Sequence, residues 1–175
     1  MWSQVTRAMA LSLPMTAAKS LDQERLMPEE QVTSNVRTPW HLWVVGIFAF
    51  LWSGMGAFDY LMTETQAEWY MGNFTPEQLE FFYGFPAWLV AFWALAVWGG
   101  VLGGILLLLR KKLAVPVFLV SFLCMVVTTI RNYGFANGFE VMGGAGAAAF
   151  SLLIFVFALL FYLYARSMRD KGVLV

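Results

Sequence analysis

The chain has 175 residues, of which 60% are apolar and 13% charged, and its 11 basic and 11 acidic side chains cancel. That composition lies outside the soluble range of about 45–50% apolar and about 25% charged. One Cys and one His, Cys124 and His41, exclude paired-thiol redox chemistry, bis-imidazole haem and structural zinc within one chain. No basic stripe suits a nucleic acid, and none is expected as a partner.

Residues 1–38 read as a cytoplasmic N-terminal arm. Arg7, the apolar stretch Ala8 to Met15 and the small pair Ala17 and Ala18 imitate a signal peptide, but Pro14 breaks a run that is already short. Trp2, Val5, Met9 and Leu13 can line one side of a short interfacial helix, and Ser20 with Gln23 resembles a capping box.

Four apolar runs follow, roughly Trp40 to Leu61, Pro86 to Leu109, Leu113 to Ile130 and Val141 to Ala165. Each approaches the about 20 residues that a helix needs to cross a bilayer. The expected fold is therefore an all-α membrane protein, with four transmembrane helices in residues 39–166, a short outer interfacial helix, and a cytoplasmic tail over 167–175. Ten of the eleven basic residues flank these runs on one side, giving net charges of +5 and −5 on the two sides. Positive flanks stay in the cytoplasm, so both termini are expected there, in a bacterial inner membrane.

The outer loop, residues 60–85, is too long for a simple turn. Within it Thr75 and Gln78 form a capping box, Pro76 takes the first helical position and Phe74 can staple onto Leu79, which predicts a short helix starting at Thr75. Its residues Leu79, Phe82 and Tyr83 share one face, and Trp69, Tyr70, Phe81, Phe85 and Trp88 add an aromatic belt.

Span two carries Gly99, Gly100, Gly103 and Gly104, two overlapping small-xxx-small pairs on adjacent strips. Such residues let helix backbones approach closely in lipid. Span four opens with a second small surface, Gly143, Gly144 and Gly146 with Ala147. The two surfaces fall in opposite leaflets, so each needs a different neighbour.

Asp59 lies 19 residues after Trp40, and Arg131 lies 19 residues after Lys112, which puts both about 28 Å from the inner boundary. Equal depth predicts an ion pair between spans one and three, with Asn132, Tyr60 and Tyr133 as hydrogen-bond partners. The remaining span hydroxyls, Ser53, Ser121, Thr128, Thr129 and Ser151, are expected to bond back to their own helices.

The segments Met55-Gly-Ala-Phe-Asp-Tyr-Leu-Met62, Phe74-Thr-Pro-Glu-Gln-Leu79, Tyr83-Gly-Phe-Pro-Ala-Trp88 and Trp98-Gly-Gly-Val-Leu-Gly103 resemble those of a group of small bacterial inner-membrane proteins with four spans, often labelled sugar transporters. The resemblance implies that membrane and a sugar-like solute, and it carries no site residues.

Transport needs an aqueous path with polar groups at mid-membrane, or a coupling carboxylate there, and the sequence offers neither. No catalytic residues, metal ligands or cofactor site are expected, since no base, nucleophile and metal set converges. The sequence thus favours a non-catalytic accessory or assembly subunit whose partners are the bilayer and other membrane subunits or itself. The alternative is an oligomeric transporter of a small polar solute.

Overall fold

A computed structural model describes residues 37–175. The interfacial helix expected in the arm, and the capping box at Ser20, lie outside the described residues. Within them the chain is all-helical, in the order α1 Trp40–Glu64, α2 Glu68–Met71, α3 Pro76–Tyr83, α4 Ala87–Leu108, α5 Ala114–Phe135, α6 Gly138–Val141 and α7 Ala145–Asp170. Four of these, α1, α4, α5 and α7, are long and apolar enough to cross a membrane. Such an architecture fits a multi-pass membrane protein.

Proline sets two of the starts. Pro39 precedes α1 and Pro86 precedes α4, each in extended backbone, because proline's fixed φ and missing N–H suit the first helical turn. The stops share one device. At the end of α1, Gln66 turns left-handed at φ 51°, and the amides of Gln66 and Ala67 bond to the carbonyls of Thr63 and Met62. Arg110 does the same after α4, at φ 57°, and Gly172 after α7, at φ 70°. These are Schellman closures, which satisfy carbonyls that a helix end leaves unpaired.

Packing runs α1 on α4, α4 on α5, and α5 on α7, and the glycines of α4 explain why α4 is central. A Cβ on Gly104 would lie 2.9 Å from the Phe50 amide nitrogen, and one on Gly100 would lie 2.6 Å from Ser53 Oγ, both on α1. On the adjacent strip, Gly99 would meet Ser121 at 3.0 Å and Gly103 the Phe118 ring at 2.7 Å, both on α5. One small pair thus seats α1 and the other seats α5. In lipid, where burying leucine gains little, this backbone approach is a main source of packing energy.

Helix α7 closes on α1 through aromatic rings. Phe48 meets Phe157 at 5.2 Å and Phe161 at 5.8 Å, and Trp52 meets Phe157 at 4.7 Å and Phe150 at 6.4 Å. Edge-to-face pairs of this kind stabilise beyond the area they bury. His41 Nδ1 and the Tyr164 hydroxyl, 2.5 Å apart, tie the same two helices at the basic end.

The small surface expected to open span four is only partly helical. Gly143 and Gly144 sit before α7 with φ of 109° and 68°, a bend most side chains resist, and a Cβ on Gly143, Gly144 or Gly146 would touch nothing within 4 Å. They form an open corner rather than a packed face. Ala147 lies inside α7 and faces the interior described below.

The tail is also more than a solvated end. α7 runs on to Asp170, and the chain then folds back so that Val173 and Leu174 are buried. The Lys112 amide donates to the Val175 carbonyl, the Val175 amide to the Arg110 carbonyl, and Arg110 Nε to the Val173 carbonyl. This clasp fastens the α4–α5 connection.

Candidate functional site

Between α1, α4, α5 and α7 lies a cavity of about 790 Å³ that reaches from mid-bundle to the acidic end, where α2, α3 and α6 lie. Its floor is apolar, with Phe50, Phe118, Ala158 and Phe161. Its walls carry Trp52, Trp93, Phe82, Phe85 and Phe150. Polar side chains come from three of the spans: Ser53 and Asp59 of α1, Ser121, Thr128, Thr129, Asn132 and Tyr133 of α5, and Ser151 of α7, joined by Tyr70 of α2.

The outer loop reaches this space because its helices are locally well specified. Gln78 N donates to Thr75 Oγ1 and Thr75 N to Gln78 Oε1, so the expected capping box of α3 forms, with Pro76 at its first position. The Thr75 side chain and the backbone amide of Glu77 also hold the Glu77 carboxyl below its usual range. Leu79 sits half-buried on α3. Gln78 Nε2 donates to the Val141 carbonyl, which couples α3 to α6. The Phe74 ring, expected to staple onto Leu79, packs edge-on to Phe82 at 5.9 Å and beside Tyr70 at 5.7 Å. Phe82 in turn stacks on Trp93 at 6.4 Å, which carries the loop cluster to the cavity wall.

The expected Asp59–Arg131 pair does not form. Among the described residues the ion pairs join Arg166 and Arg169 to Asp170, at the basic end. Asp59 instead accepts a hydrogen bond from the Tyr70 hydroxyl at 2.6 Å. Equal depth was a sound inference, but α4 stands between α1 and α5, so depth alone does not bring the two side chains together. The bond to the carboxylate, with partial burial, pushes the Tyr70 phenol up to about 12.

None of the other hydrogen-bond partners expected at the Asp59–Arg131 pair reaches Asp59. Tyr60 packs edge-on to Trp93 at 5.1 Å. The Tyr133 hydroxyl pairs with Ser151 at 2.6 Å, a bond between α5 and α7. Asn132 Oδ1 is buried with no hydrogen-bond partner. Of the span hydroxyls, Thr128 bonds back to its own helix at the Met125 carbonyl, as expected. Ser121 crosses over instead, donating to the Ala96 carbonyl of α4 at 2.5 Å, because the close glycine contact beside it brings that carbonyl within reach.

The sequence gives no sign that Asp59, Ser121, Thr128, Asn132, Tyr133 and Ser151 line a common space. Tyr70 was read only as part of the aromatic belt; its spacing of 11 residues from Asp59 becomes a contact only through the turn after Glu64. Compared with models of known protein families, with curated proteins and with solved structures, the chain matches none.

Proposed function

We propose that the protein is a carrier-type protein of the bacterial inner membrane that binds a small solute in the cavity between its four spans. Its basic end, with Arg37, Arg110 to Lys112 and the 167–175 tail, faces the cytoplasm, in keeping with the retention of positive flanks on that side. The observation that carries the reading is the convergence of polar side chains from separate spans on one space of ligand size, the usual form of a small-molecule site. The sequence alone favours a docking subunit, because it shows no amide or coupling carboxylate at mid-membrane and does show apolar helices, small packing surfaces and an arm.

Ligand-induced thermal stabilisation tests the proposal, since a solute that binds only the folded protein raises Tm by mass action. Purified protein should be stabilised saturably by members of one solute class, and Ile154→Trp, which fills the cavity from α7, should lose the response while staying folded. A flat response to sugars, amines and carboxylates alike would overturn it.

The subunit reading retains one specific support, the open corner at Gly143, Gly144 and Gly146, where a neighbouring helix could approach closely. Blue-native electrophoresis in mild detergent separates the two. A lone 19.7 kDa species counts against the subunit.

A further inference from the structure

The groups in the cavity that lack partners define what it holds, an inference that rests on reading the cavity as a binding site. Among the described residues its wall contains one carboxylate, Asp59, and no lysine, arginine or histidine. One oxygen of that carboxylate accepts from Tyr70; no described cation pairs with it, and the ion pairs lie at the opposite end of the bundle. Asn132, in the same wall, keeps its Oδ1 buried and unpartnered, and the hydroxyls of Ser53 and Thr129 line the space as well. A buried acceptor is costly until something donates to it. The Asp59 carboxylate therefore favours a ligand with N–H or O–H donors.

The surroundings choose between donors. Of the wall hydroxyls among the described residues, those of Ser121, Thr128, Tyr133 and Ser151 are engaged with protein partners, which leaves Ser53 and Thr129 for a ligand. A sugar, which needs many partners for many hydroxyls, would leave several of its own unsatisfied. An anion would meet Asp59 with nothing to neutralise it. A cation finds the opposite: the carboxylate, and beside it the rings of Tyr70, Phe82, Phe85 and Trp93, with Phe85 and Trp93 6.1 Å apart. Ring faces carry partial negative charge and attract ammonium groups. The acidic end adds a long-range bias, since Asp59, Glu64, Glu68, Glu77, Glu80 and Glu140 gather there against Arg131 alone.

The mouth of the cavity adds the body of the ligand. Its wall includes Leu51, Met55 and Phe58 of α1, exposed by 59%, 66% and 46%. Those side chains face out of the bundle beside the seam with α7, where the outermost ring contact is Trp52 with Phe150. A seam with apolar lips opens toward lipid rather than water. We propose that the cavity binds a protonated amine with an aromatic or aliphatic body, its N–H groups turned to Asp59 and its body lying along Trp52 and Phe150.

The test compares two probes of one shape, 4-phenylbutylamine, charged at neutral pH, and 4-phenylbutanol, uncharged, with glucose as a third. Binding to the purified protein is read from tryptophan fluorescence, as Trp52 and Trp93 line the cavity. The amine should bind about tenfold tighter than the alcohol, the size of a partly desolvated cation site. Asp59→Asn should erase that preference, so that the amine binds no more tightly than the alcohol. Tyr70→Phe should keep the preference, because the carboxylate remains; it also guards against a folding defect in the first variant. Equal binding of amine and alcohol, a preference that survives Asp59→Asn, or binding of glucose alone would overturn the amine assignment and leave the cavity as a site. Binding of none of the three to folded protein would overturn both readings.

Discussion

The hydroxyl of Tyr70 donates to the carboxylate of Asp59 across 2.6 Å, joining the short helix α2 to the end of the first span. That bond takes the place of the salt bridge to Arg131 that equal depth predicted. It also leaves Asp59 as the charged group in the cavity wall.

Double-mutant cycles should separate the two pairings. Asp59→Ala with Tyr70→Phe should show a coupling of about 1 kcal/mol or more, the size of a hydrogen bond to a charged acceptor. Asp59→Ala with Arg131→Ala should be additive within about 0.5 kcal/mol. The measurement is equilibrium unfolding in mixed micelles; strong coupling in the second cycle would contradict the geometry.

The same bond sets a pH dependence. The Tyr70 phenol ionises at about 12 in the folded chain against 10.0 ordinarily, so folding favours its protonated form. Its contribution to stability is complete below pH 10 and is lost as the pH rises from 10 through 12. Thermal unfolding between pH 9 and 12 should show a fall in Tm that is shallower in Tyr70→Phe, and absorbance titration of the phenolates should lose one late-ionising group in that variant.

Glycines on the two helices should respond in opposite ways. Gly104→Ala drives a methyl against the Phe50 backbone, which cannot step aside, and should cost about 1–3 kcal/mol. Gly103→Ala meets the Phe118 ring, which can rotate, and should cost less. Gly146→Ala, inside α7 with open space around it, should be neutral or stabilise by up to about 1 kcal/mol through helix propensity. Thermal unfolding of the three variants side by side gives the order.

The clasp at the basic end rests on Leu174, which is fully buried. Leu174→Ala should destabilise by about 2–5 kcal/mol if the site does not collapse. Freed from the tail, Arg110, Lys111 and Lys112 should become trypsin-sensitive, and the rate of cleavage in the intact detergent complex reads that release.

Much of the fold was legible because its causes are local. The spans follow from apolar runs, the α3 cap from Thr75, Pro76 and Gln78, and the close packing of α4 from four glycines on two strips. The start of α7 was not, since an alanine- and glycine-rich run reads as helix until the backbone at Gly143 and Gly144 is seen to turn with positive φ. The short helix α2 was missed as well, because its four residues, Glu68 to Met71, carry no cap hydrogen bond from a side chain to announce it.

The site divides along the same line. Sequence by itself determined four apolar helices, an uneven charge distribution between their ends, and the equal distance of Asp59 and Arg131 along their helices, because those depend on composition and on a fixed rise per residue. Only the tertiary structure decided which side chains share a space. Which neighbour each strip of α4 receives, where the seam between α1 and α7 falls, and that Tyr70 turns back onto Asp59 are set by contacts between distant segments. Depth along a helix is a one-dimensional quantity, whereas a cavity is made of azimuths around several helices, and those are fixed only when the helices pack.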